Sequence, residues 1–108
     1  MDAEKTSKGL SNKDLMSLSS TQKLLQYIDK YRQRFPKAAI TPELIFTSAN
    51  TYYNAERYND AIPVYRQIVS DYPQYKDAAK ASRMLGQCYV FIKEYDKAIT
   101  LYQTLLSK

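Results

Sequence analysis

Side chains able to do covalent or acid–base chemistry are few in this sequence, and their spacing does not bring them together. There is no histidine among the 108 residues, which removes the commonest general base and the commonest metal ligand. The one cysteine, Cys88, can form neither an intrachain disulfide nor a cysteine-based zinc site. It stands beside Tyr89 in an apolar pattern and reads as a small buried hydrophobe, since a nucleophilic thiol would want a base near it. Acids such as Asp29 and Glu94 fall on separate helix ends, so no carboxylate pair points to hydrolysis. The sequence argues against an enzyme, and nothing in it asks for a cofactor or a metal. Eleven tyrosines suggest stacking on single-stranded nucleic acid. Six of them, however, recur at fixed spacing and read as packing.

Charge adds little chemistry of its own. Sixteen Lys and Arg against eleven Asp and Glu leave +5, a balance that invites a nucleic-acid partner. The densest stretch (Lys30, Arg32, Arg34, Lys37) is interrupted by Asp29, and Lys5, Lys8, Lys13 and Lys23 sit near the start. This distribution suits solvated helix faces and a basic tail, with weak attraction to anionic surfaces as a lesser reading. No apolar run approaches the ~20 residues that span a bilayer, and the first residues show no basic-then-apolar leader pattern.

The elements that must position any site emerge from an internal repeat. At an offset of 37 residues, Tyr52 matches Tyr89, Tyr58 matches Tyr95, and Tyr65 matches Tyr102. Ala61-Ile62 matches Ala98-Ile99, Ala49 matches Gly86, and Phe35-Pro36 matches Tyr72-Pro73. Ala61, Ile62, Tyr65, Ile68, Val69 and Tyr72 form one apolar stripe on a helix of 3.6 residues per turn. Ala98, Ile99, Tyr102, Leu105 and Leu106 repeat it, and Leu24, Leu25, Ile28, Tyr31 and Phe35 form an earlier copy. The intervening helices are expected at about 42–55 and 78–92. Thr41 is an expected N-cap before Pro42 and Glu43, as are Asp60, Asp77 and Asp96, while Ser19 to Gln22 fits a capping box. With Asp60 as N-cap, Pro63 falls in a first turn, where it loses no hydrogen bond. Few glycines and prolines speak against a β-sandwich. Residues 1–11 read as disordered, and Leu15, Met16 and Leu18 as a short degenerate helix within a flexible 1–20 segment.

These positions resemble the tetratricopeptide repeat. The resemblance covers about residues 21–108: a helix at 21–34, a unit at 42–75, and a truncated unit at 79–108. It implies an all-α, right-handed helical-repeat solenoid of about two helix–turn–helix units plus a preceding helix. The period of 37 exceeds the family's 34, large Ile68 and Leu105 stand where a small residue is usual, and the inner turns (Glu56-Arg57, Lys93-Glu94) lack glycine. Longer units ending in Tyr/Phe-Pro are similar to a bacterial-envelope subset, which includes the periplasmic Tol–Pal coordinator and the lipoprotein partner of the β-barrel assembly machinery. The register also leaves the second unit short of its Tyr-Pro, which suggests a piece of a longer repeat protein or an open end that pairs with another copy.

The resemblance implies a non-catalytic protein-interaction module whose first helices line a concave face. In the first unit that face would carry Glu43, Phe46, Asn50, Tyr53 and Asn54, and in the second Lys80, Arg83, Gln87, Val90 and Phe91. Phe46 and Tyr53 would anchor an extended peptide, while Asn50, Asn54, Lys80, Arg83 and Gln87 would bond its backbone and charges. Against this, Phe46, Tyr53 and Phe91 could all simply pack between helices, and for Val90 and Phe91 packing is the stronger reading. Asn50, Lys80 and Arg83 match parts of the family's carboxylate clamp, but Phe46 stands where that clamp needs a lysine. Self-assembly through the open end and binding of nucleic acid or anionic surfaces through the basic tail are the competing functions. The resemblance favours a periplasmic or envelope location over a cytoplasmic one.

Overall fold

The computed structural model describes residues 19–107. Five helices follow one another: α1 (Ser19–Arg34), α2 (Thr41–Asn54), α3 (Tyr58–Asp71), α4 (Ala78–Phe91) and α5 (Tyr95–Leu106). No strand occurs among the described residues. Each helix packs chiefly on its neighbours in sequence, in the order α1, α2, α3, α4, α5. This is the pattern of a helical-repeat solenoid, in which a lone pair cannot cover its own apolar stripe and the next pair must. The expected disorder at 1–11 and the short helix near Leu15 lie outside the described residues.

The 37-residue register holds in the backbone. After α2, the N–H of Glu56 donates to the carbonyl of Tyr53 (3.0 Å) and that of Arg57 to Tyr52 (2.8 Å). After α4, Lys93 donates to Val90 (3.0 Å) and Glu94 to Tyr89 (2.8 Å). Both are Schellman caps, whose C′ residue must be left-handed. Glu56 (φ 61°) and Lys93 (φ 65°) take that conformation without being glycine, at a cost of about 1–2 kcal/mol each. The outer turns repeat as well. Ala38 N–H donates to Phe35 and Thr41 N–H to Ala38 (3.2 and 3.0 Å), and Tyr75 donates to Tyr72 and Ala78 to Tyr75 (3.0 and 2.9 Å). Two nested turns thus absorb the three residues added to each unit. The Tyr72 hydroxyl donates to the carbonyl of Pro36 at 2.7 Å, tying one outer turn to the next.

Several expected caps are corrected. Thr41 is fully buried, and its hydroxyl donates back to the carbonyl of Phe35 at 2.5 Å. The preceding Ile40 occupies the N-cap. α3 starts at Tyr58 with non-helical Arg57 (φ −97°, ψ 67°) as N-cap, directly after the Schellman turn. Asp60 therefore sits inside the first turn, where its carboxylate accepts from Arg57 Nε at 2.7 Å. Pro63 consequently lies in the second turn and deprives the carbonyl of exposed Asn59 of its helical donor. Likewise Glu94, not Asp96, precedes α5, and Asp77 holds the N-cap of α4 without a side-chain capping bond. Asp60 and Asp96 still place negative charge at the positive ends of their helices. The capping box expected at Ser19 meets a residue that is already helical.

The core runs through the stack. Ile45, Ala49, Ala61, Tyr65, Ile68, Ala81 and Cys88 have no measurable exposure. Small residues at Ala49, Ala61 and Ala81 let the helices approach, and Tyr65 fills the space between them. The hydroxyl of buried Ser48 donates to Ile45 at 2.8 Å, and no buried side-chain polar atom among the described residues lacks a partner.

Candidate protein-interaction face

The expected site residues lie on α2 and α4, the first helix of each pair, and they divide into buried and exposed groups. Phe46 is not an exposed anchor. It is only 8% exposed, with its ring edge-on to Tyr65 (6.1 Å) and Tyr75 (6.0 Å). The reason is geometric: Tyr65 of α3 and Tyr75 of the outer turn close over its ring from two elements. Asn50 is half-buried, and its Oδ1 accepts a hydrogen bond from the Tyr65 hydroxyl at 2.5 Å. Burial, above all, raises the Tyr65 phenol well past its usual range, so it remains a donor. The Asn50 amide NH2 has no partner among the described residues.

Tyr53 is half-buried in a ring cluster, with its edge against Tyr58 (5.5 Å), Tyr65 (6.5 Å) and Phe91 (6.1 Å). Asn54 is exposed where α2 ends, and Glu43 is exposed where it starts. On α4, Lys80, Arg83 and Gln87 are all exposed. Their spacings of 3 and 4 residues put them on one face, and none makes an ion pair or side-chain hydrogen bond among the described residues.

Phe91 continues that stripe by four more residues. It is 51% exposed and stacks on Tyr58 at 4.5 Å with an 11° interplanar angle. Phe91 thus packs on Tyr58 and Tyr53 and is still exposed, as is Val90. The position of Phe91 four residues after Gln87 keeps it on the face to which the sequence assigns it. The face thus has a polar row on α4 that ends on Phe91, which touches Tyr53 of α2.

Burial pushes the Cys88 thiol up to about 12, so it is un-ionised and unreactive at neutral pH. Among the described residues no group of three His, Cys, Asp or Glu could hold a metal. Among the same residues no helix is long and apolar enough to cross a membrane.

A sequence model of the tetratricopeptide repeat matches residues 52–108, over half of the chain. The chain belongs to the tetratricopeptide repeat family. Tetratricopeptide repeats are generally protein–protein interaction modules and are typically non-catalytic. In this tetratricopeptide repeat chain the match begins within α2, and the outer turn after α1 repeats the hydrogen bonds of the turn after α3. No curated protein and no solved structure matches the chain.

Proposed function

We propose that this protein binds an extended peptide or protein segment across α2 and α4, through Asn50, Tyr53, Asn54, Lys80, Arg83 and Gln87, with Phe91 added. The observation that carries the reading is the unpaired polar row on α4, which ends on exposed Phe91, stacked on half-buried Tyr58. Aromatic rings offer contact area at low entropic cost, and unpaired amide and guanidinium groups suit a peptide backbone or carboxylate. Phe46 is left out because it is buried, and Asn50→Ala is a poor test because it strips Tyr65 of its acceptor.

The clean variant is Arg83→Glu with Gln87→Ala, both at exposed positions without partners. A peptide selected from a random display library on the folded chain should bind this variant at least about tenfold more weakly, a loss of roughly 1.4 kcal/mol. The melting curve should stay unchanged, and Arg66→Glu on α3 should leave binding intact. Equal loss from both variants would remove the assignment.

The 37-residue units with their Phe35-Pro36 and Tyr72-Pro73 turns support, by resemblance, a role in bacterial envelope assembly. Fractionation of cells that make the native protein should then recover it with the envelope or periplasm. Recovery in the cytosol would end that part of the proposal.

A further inference from the structure

A second surface lies at the opposite side of the stack from α5. Leu24 (42% exposed) and Tyr27 (60%) on α1 and Phe35 (46%) just after it stand open, with half-buried Tyr31 between them. Their rings run as a ladder, Tyr27 to Tyr31 at 6.1 Å and Tyr31 to Phe35 at 5.0 Å. Apolar area of this kind on an exposed helix marks an interaction site.

The repeat register says what shape covers it. Leu24 and Tyr31 correspond at 37 residues to Ala61 and Ile68 of α3, both at 0% exposure, and Leu24 corresponds again to Ala98 of α5 at 3%. Both α3 and α5 pack on the first helix of their own pair, α2 and α4. The other half of the stripe behaves oppositely: Ile62 is 9% exposed where α4 follows α3, whereas Ile99 on α5 is 53% exposed. α1 has a following helix, α2, but no first helix of its own among the described residues. The open stripe is therefore helix-shaped.

Charge says what kind of helix. Lys23, Lys30 and Arg34 are exposed along the edge of the stripe beside Tyr27, and the Arg34 guanidinium lies 5.7 Å from the Phe35 ring centre. Asp29, the one acid on α1, points elsewhere and is held by Arg32 (3.2 Å) and Gln33 (3.1 Å). The chain's own sequence at 4–17, one repeat upstream of α2, carries Lys5, Lys8 and Lys13 against Glu4 and Asp14, a net +1 with no acidic excess to match this edge. A second copy of a +5 chain complements it no better.

We propose that the α1 stripe is a docking surface, separate from the α2–α4 face, for an acidic amphipathic helix of a partner protein, seated where a pair's own first helix sits elsewhere in the stack. The probe is a stapled helix of about four turns with leucines on one face and glutamates on the rest, compared with the same helix carrying lysines. On the full chain the acidic helix should bind at least about tenfold more tightly than the basic one, and more weakly as salt rises. Leu24→Ser with Tyr27→Ser, and separately Lys30→Glu with Arg34→Glu, should each weaken it at least about tenfold, while Arg83→Glu should not. If the apolar variant melts early, the charge variant decides. The proposal is overturned if both helices bind alike or the charge variant binds unchanged. It is equally overturned if the stripe variants abolish only binding to phosphatidylserine vesicles or only self-association of the chain.

Discussion

Tyr65→Ala should lower the unfolding free energy by about 3–5 kcal/mol, the range for deleting a buried aromatic side chain. Tyr65 has no exposed surface, meets Phe46 and Tyr53 edge-on, and donates its hydroxyl to Asn50. Its loss opens a cavity between α2 and α3 and also leaves Asn50 without its donor. Tyr65→Phe removes only the hydrogen bond and should cost about 0.5–1.5 kcal/mol. Urea unfolding followed by helical circular dichroism reads both. An alanine variant that loses under ~1 kcal/mol would mean that the ring is not the keystone between these helices.

The second large effect concerns Gly86, and its sign should depend on a residue in the next helix. A Cβ at Gly86 would lie 2.6 Å from Tyr102 Cζ and 2.8 Å from both its Cε1 and its hydroxyl oxygen. The glycine is therefore in α4 because α5 lays a tyrosine ring directly over it. Gly86→Ala should push that ring away and destabilise the protein by about 1–3 kcal/mol. With Tyr102→Ala already in place the clash is gone, and the same substitution should stabilise by about 0.5–1 kcal/mol, the ordinary gain from replacing a mid-helix glycine. The thermal midpoint of the four proteins reads the cycle. If Gly86→Ala changes stability equally in both backgrounds, the ring does not occupy that space.

Much of the architecture was legible because a repeat states each rule twice. The pairing of Ala61 with Ala98 and of Tyr65 with Tyr102 located the second helices, and Pro42 located the start of α2. Helix starts were less legible, because acids placed for the helix dipole look like caps. Asp60 and Asp96 lie inside their helices, and the Schellman turns before them decide where the helices begin. Those turns were themselves hidden, since Glu56 and Lys93 hold a backbone conformation that sequence alone assigns to glycine.

The site was legible where helical spacing alone decides exposure. Lys80, Arg83 and Gln87 lie on the open side of α4 as their spacing indicates. Phe46 depends on two elements at once, Tyr65 of α3 and Tyr75 in the outer turn, and the position of Tyr75 follows from the added residues of each unit. Phe91 is exposed and stacked at the same time, a state that a choice between groove and packing does not contain.

The central claim is that α2 and α4 together form the binding face. Its most direct test is a titration of isotope-labelled protein with the selected peptide, followed by backbone amide shifts. The account predicts that the shifts cluster at Asn50, Tyr53, Asn54, Lys80, Arg83, Gln87 and Phe91, and leave Asn59, Arg66 and Ser70 of α3 and Thr100 of α5 unmoved. Shifts confined to α3 and α5, with the α4 row silent, would contradict it.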